Sequence, residues 1–210
     1  MFDQVIHQAW VGHAEGALLA PRAARLDQLQ ASLGPVELVG SGEIDLLGPV
    51  YDLGLGLRLD LDALGALVPN APVLEGQADL RLQVEGSGAD PRARGTIEVV
   101  RGRIGKYVLG DRILAQLRAD RSQVDVESLT VEIGTGRVRA EARLLIDDSL
   151  TLEATARPAN LSFARFMAAL GEPSVWADFV ATGRTQVRGT LRPLRLEGPF
   201  DFAVAGVDVW

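Results

Sequence analysis

The amino-acid sequence predicts an all-β protein with one or two short helices, and three observations carry that expectation. Ala78, Leu80, Leu82 and Val84 alternate with Asp79, Arg81, Gln83 and Glu85, which puts one set on each face of an extended strand. Leu53, Leu55, Leu57, Leu59 and Leu61 alternate in the same way with glycine, Arg58 and Asp60. Clusters of glycine, proline and aspartate then interrupt the alternation where hairpins must turn, at Gly48-Pro49, between Gly86 and Pro91, at Gly134-Thr135-Gly136 and at Asp147-Asp148.

Residues 1–35 carry the weakest pattern: 5–12 reads as a strand, and 22–32 as either a short helix or a strand with Leu26 and Leu29 out of phase. From Val36 the alternation is regular through the Gly48-Pro49 turn and the leucine run. Asp62 is expected to cap a short helix over residues 62–68 that stops before Pro69. Residues 76–103 then form a unit of two strands and a turn. The unit has an echo, because Gln83-Val84-Glu85-Gly86 returns as Gln186-Val187-Arg188-Gly189, Gly95 returns as Gly198 at the same offset, and Pro91 has a near counterpart in Pro193. Such an echo points to a sheet extended by repeats.

Further strands are expected over 104–108 and 112–119, around a turn at Gly110-Asp111. Val124 and Val126 share a phase that Leu129, Val131 and Ile133 do not, so a bulge or a tight turn is expected near Glu127-Ser128. Beyond the turn at Gly134, Val138, Ala140, Ala142, Leu144 and Ile146 oppose Arg137, Arg139, Glu141 and Arg143, and Leu150, Leu152, Ala154 and Ala156 make the next apolar row. Asn160 is expected to cap a helix over 160–170, where Leu161, Phe163, Phe166, Met167 and Leu170 recur at helical spacing before Gly171. Strands resume over 175–189, 194–196 and 200–210.

These make about a dozen antiparallel strands, and an open sheet rarely exceeds about 10 without curling, splitting or closing. Two short helices cannot cover its apolar face. A sandwich, a closed barrel and an open trough all meet that requirement.

Composition narrows the function. Hydrophobic residues make up 47% and aromatics only 5%, so the apolar surface is aliphatic and suits acyl chains better than stacked rings. A net charge of −7 argues against nucleic acid, which calls for clustered cations. The absence of cysteine excludes disulfides and thiolate metal sites without deciding the compartment. Residues 1–10 lack the features of a signal peptide, and no apolar run approaches the roughly 20 residues that span a bilayer. Alternation continues to Trp210, so the chain is expected to be an internal segment of a longer protein.

No catalytic constellation is found. His7 and His13 lack a third ligand at metal-like spacing. Asp60 and Asp62 are most simply a polar strand residue and a helix cap. Gly54-x-Gly56 and Gly86-x-Gly88 lack the third glycine of a dinucleotide loop, and Ser41 and Ser87 lack a nucleophile elbow. Neither enzyme activity, nor a cofactor, nor a bound metal is expected.

The stretches LRLQVEGSGADPRARGTIEV, RGRIG and QVDVESLTVEIGTGRVRAEARLLIDDSLTLEATA resemble the AsmA/TamB-like proteins of Gram-negative cell envelopes, over roughly residues 36–210. The marks are the loop Gly86-x-x-x-x-Pro91-x-x-x-Gly95, the small-residue turn at 134–136, and helices interrupting long runs of alternating strands. The resemblance implies a repeating β-groove, a long curled antiparallel sheet forming an open apolar groove, within a periplasmic bridge between the inner and outer membranes. It implies phospholipid acyl chains as the partner. It also implies an outer-membrane β-barrel protein, met through flanking regions, since the TamB branch is linked with outer-membrane protein assembly. No N-terminal anchor is seen, and the C-terminal domain of TamB is expected to be missing. On this reading the lipid-binding residues are Leu55, Leu57, Leu59, Leu80, Leu82, Val84, Val131, Ile133, Val138, Leu144, Leu152, Phe200 and Phe202. The end strands of such a sheet are expected to self-associate edge to edge. The competing readings are a chaperone-like β-scaffold and a compact sandwich without ligand.

Overall fold

A computed structural model describes residues 11–20, 23–45, 48, 50–67, 73–172 and 177–209. The expected strand over 5–12 therefore lies mostly outside the described residues, as does His7. In chain order the elements are β1 (Val11–Ala20), β2 (Ala23–Leu33), β3 (Val36–Asp45), β4 (Val50–Asp60), α1 (Leu61–Leu67), β5 (Leu74–Ser87), β6 (Pro91–Ile104) and β7 (Tyr107–Ala119). There follow β8 (Gln123–Ile133), β9 (Gly136–Leu145), β10 (Thr151–Ala159), β11 (Leu161–Ser162), α2 (Phe163–Ala169), β12 (Ala177–Leu191), β13 (Leu194–Glu197) and β14 (Phe200–Val209).

All fourteen strands belong to one sheet. Each of β1 to β9 pairs antiparallel with the next, and β10 pairs with β12. The short β11 pairs with β12 on the β10 side, while β13 and β14 pair with its other side. β1 and β14 are the two edges and do not pair with each other, so the sheet is an open groove rather than a barrel or a two-sheet sandwich. Its accessible surface is 14126 Å². A compact monomer of this mass would expose about 9,400 Å². The excess is what a single layer leaves uncovered.

Because consecutive strands run antiparallel, the connections fall on two long rims. One carries both helices and the turns at Gly34, Gly105 and Gly134. The other carries short hairpin turns closed by carboxylates and hydroxyls: Asp120 accepts from the Ser122 and Gln123 amides, Asp147 from those of Ser149 and Thr151, and Ser87 Oγ from the Asp90 amide.

Two glycines of the Gly-x-x-x-x-Pro-x-x-x-Gly loop have evident physical reasons. Gly86 sits at φ +117, where a Cβ would lie 2.2 Å from the Asp90 carbonyl oxygen, and a Cβ on Gly95 would lie 2.1 Å from that of Arg81. The echoed unit is built alike: Gly189 sits at φ +153, and a Cβ on Gly198 would lie 1.6 Å from the Gln186 oxygen.

Local expectations are corrected in three places. β7 runs unbroken through Gly110-Asp111, because the turn is at Gly105-Lys106 and Gly110, at φ +138, lies opposite Gly102 in a bulge. Asp60, not Asp62, caps α1, its Oδ1 accepting from the Ala63 amide at 3.0 Å. Ser162, not Asn160, caps α2, which starts at Phe163 because Leu161 and Ser162 still pair with β12. The segment over 22–32 is the strand β2, and a register shift between Leu26 and Leu29 accounts for their phase. The bulge near Glu127-Ser128 is found between Val126 and Leu129.

Candidate functional site

Residues directly opposite each other in neighbouring strands share a face, so the register traces the apolar surface strand by strand. One row passes from Leu57 through Leu80, Ile97, Ala115, Leu129 and Ala140 to Ala156. The next runs from Leu55 through Leu82, Gly95, Leu117, Val126, Ala142 and Ala154 to Val187. Neither row contains a charged residue. The bulge after Val126 keeps the second half of β8 on this face; without it Leu129, Val131 and Ile133 would point the other way.

Every residue named above as lining a groove is on this one face. Leu59 pairs with Ala78, Val84 with Leu53, Val131 with Val138, Ile133 with Gly136, and Leu144 with both Val124 and Leu152. Phe200 and Phe202 extend it onto β14 opposite Thr185 and Gly183, with ring centroids 6.0 Å apart. Ile97, Ile113, Leu117, Val126, Leu129 and Val187 belong to it as well. They show the same alternation in the sequence, and only the pairing reveals that they continue the row.

Little covers this face. Among the described residues the buried hydrophobic ones are Ala78, Leu161, Ala169 and Ala177, and the leucines of the two rows are only half-buried. Ten strand spacings of about 4.8 Å from β2 to β14 give a lining about 48 Å long. That is about three times the roughly 15 Å depth of one leaflet's hydrocarbon. At β14 it lies open, with Phe200 71% exposed.

The opposite face is charged and paired across strands. Arg58 meets Asp79 at 3.2 Å, Arg112 meets Glu98 at 2.8 Å and Arg143 meets Asp125 at 2.7 Å. The hydrogen bond to Asp125 raises the affinity of the Arg143 guanidinium for its proton. These pairs are solvated and screened, so they set register more than stability.

Helix α2 grips the start of β12 from both faces. On the charged side, Asp178 accepts from the Ser162 hydroxyl at 3.0 Å and from the amides of Ala164 and Phe179 at 2.9 Å each. These bonds, the Ala164 amide first, hold its carboxyl below the usual carboxylate range. On the apolar side, Phe163 stacks on Phe179 with centroids 4.6 Å apart. Past the helix, Glu172 reaches Lys106 at 3.1 Å and raises the ammonium's pKa, tying α2 to the turn before β7.

The functional groups weighed singly have structural roles. Asp60 caps α1, and exposed His13 lies 3.0 Å from Glu15. No group of three metal-ligating side chains is found among the described residues. No helix there is long and apolar enough to cross a membrane.

A family model for the TamB C-terminal domain matches residues 27–204. The chain belongs to the TamB family. TamB-family proteins are non-enzymatic proteins of the cell envelope, with roles in outer-membrane assembly or lipid transport. Because the match is to the TamB C-terminal domain itself, the expectation that this domain is missing is corrected. The physical source of that error is the repeat, since similar hairpins throughout a groove give few residues by which one stretch is told from another. Neither the comparison with curated proteins nor that with solved structures gave a match.

Proposed function

We propose that this TamB-family segment holds and conducts phospholipid acyl chains along its uncovered apolar face, in the periplasm between the inner and outer membranes. The observation that supports this is the pair of charge-free rows, continuous over seven and eight strands and left half-exposed by a single-layer sheet. In water such a face carries a standing cost. Each methylene laid against it gains about 0.8 kcal/mol. The headgroup stays in water, because moving a phosphate onto the aliphatic lining would strip its hydration without compensation. Movement is passive: every position along the row offers similar dispersion contacts, so a tail can slide without crossing a polar barrier.

Native mass spectrometry of the protein purified from cells tests the reading. Co-purified phospholipid that is lost in Leu144→Asp while the fold persists supports it, and lipid-free wild-type protein counts against it.

One feature favours a second reading, a scaffold that receives strands of an outer-membrane β-barrel protein. β14 is exposed along its whole length and, among the described residues, pairs only with β12. Its free edge can template a further strand, from such a partner or from a second copy of this chain. If that is the main role, capping β14 with a proline should abolish partner binding and leave co-purified lipid unchanged.

A further inference from the structure

On the charged face, two rows of side chains, separated by the row of Glu141, Thr155 and Gln186, differ in a way the lipid groove does not explain. In one, Arg118, Asp125, Arg143, Glu153, Arg188 and Glu197 face one another across successive strands with alternating sign. In the other, Arg139 lies directly across from Arg157. Ala156 pairs with Thr185, so the following position sets Arg184 beside Arg157. Like charges directly opposite each other in a sheet are destabilising.

Among the described residues none of these three arginines has a salt-bridge partner within 4.0 Å. The nearest carboxylates in the pattern are Glu141, two residues along β9 from Arg139, and Asp201, opposite Arg184 on β14, and neither closes a bridge to them. Arg139 and Arg157 line a depression of about 620 Å³ together with Glu132, Arg137, Asn160 and Thr182, and Arg184 stands outside its lining, next to Gly183. The Arg165 guanidinium reaches its edge, lying against Gly134. Arg137 is already engaged by Glu132 at 3.1 Å. Three arginines thus line the depression against one carboxylate, Glu132, in a chain whose net charge is −7.

We propose that Arg139, Arg157 and Arg184 form a binding site for a phosphate group, either free or carried by a lipid headgroup. Three guanidiniums on adjacent strands span about 10 Å. They offer forked N–H donors that match phosphate oxygens bidentately. A dianion between them converts their mutual repulsion into attraction. The site lies on the face opposite the groove and does not depend on the groove's carrying lipid.

The test is thermal melting of the full 210-residue chain in inorganic pyrophosphate, against sodium chloride at matched ionic strength, with vesicles as a second arm. The wild type should gain several degrees in Tm from pyrophosphate beyond the chloride control. Arg139→Gln/Arg157→Gln/Arg184→Gln should start with a higher Tm in low salt, relieved of repulsion, and gain nothing from pyrophosphate. Arg157→Lys should keep part of the response, and Arg143→Gln, in the alternating row, should keep all of it. Flotation with phosphatidic acid vesicles but not phosphatidylcholine vesicles, lost in the triple variant, assigns the site to a lipid headgroup. A pyrophosphate response without flotation assigns it to free phosphate. A response equal to that of chloride, or one retained by the triple variant, overturns the proposal.

Discussion

The two faces of this sheet are made by the same strands, residue by residue, yet they obey opposite rules. On one, Leu55, Leu82, Leu117 and Val126 follow one another across five strands with only Gly95 intervening and no charge. On the other, Arg58 and Asp79, Glu98 and Arg112, and Asp125 and Arg143 meet as ion pairs. In an ordinary sheet protein the apolar face would be closed by a second layer and would supply most of the stability. Here it is left half-exposed, so stability must come largely from the ladder and from lateral contacts between neighbouring side chains. The face that would be a core is therefore free to serve as a surface.

The contrast can be broken most severely on the apolar side. Leu144→Asp puts a carboxylate among Val124, Leu152 and their neighbours. In a closed core that change would bury an unpaired charge, enough to unfold a domain whose total stability is about 5–15 kcal/mol. On an open face water still reaches it, so circular dichroism should show a folded sheet while co-purified phospholipid falls several-fold. Gly95→Val should act differently, through the backbone, because its Cβ would meet the Arg81 carbonyl oxygen. A loss of about 1–3 kcal/mol in chemical denaturation is expected, with lipid capture per folded molecule retained.

Smaller effects sharpen the account of the helix that grips β12. Ser162→Ala removes the cap hydroxyl that accepts from the Arg165 amide and donates to Asp178, and should cost about 1 kcal/mol. Asp178 has a folded-state pKa below its ordinary value of 3.8. Its contribution is complete above that value and is lost as pH falls through the lower, folded one. Acid unfolding followed by fluorescence should therefore show a stability slope in that range, and Asp178→Asn should flatten it. Arg143→Gln, on the charged face, should change neither fold nor lipid capture measurably.

Much of this arrangement was legible from the sequence for a simple reason. Period-two alternation fixes which side chains share a face, and the phase change between Val126 and Leu129 announced its own bulge. What alternation could not convey was whether anything covered the apolar face, because Leu82 looks the same in a core and in a groove. That needed the pairing order, in which β1 and β14 never meet. Caps were misread where two candidates stood close together. Asp60 and Asp62 flank the same helix start, and Asn160 and Ser162 differ only in that β11 holds Ser162 against β12. The Gly110-Asp111 pair looked like a turn because a bulge glycine and a turn glycine share the need for positive φ. The sequence puts Arg139 and Arg143 on the same face and does not show that Arg157 stands across from the first and Glu153 across from the second.

The central claim is that acyl chains lie along one face and not the other, and site-specific photo-crosslinking in cells tests it most directly. A photoreactive residue at Leu57, Leu82, Leu144 or Leu152 should capture phospholipid, and one at Arg81 or Arg143, on the same strands as Leu82 and Leu144, should capture none. Equal labelling from both faces, or no lipid from any position, would contradict the account.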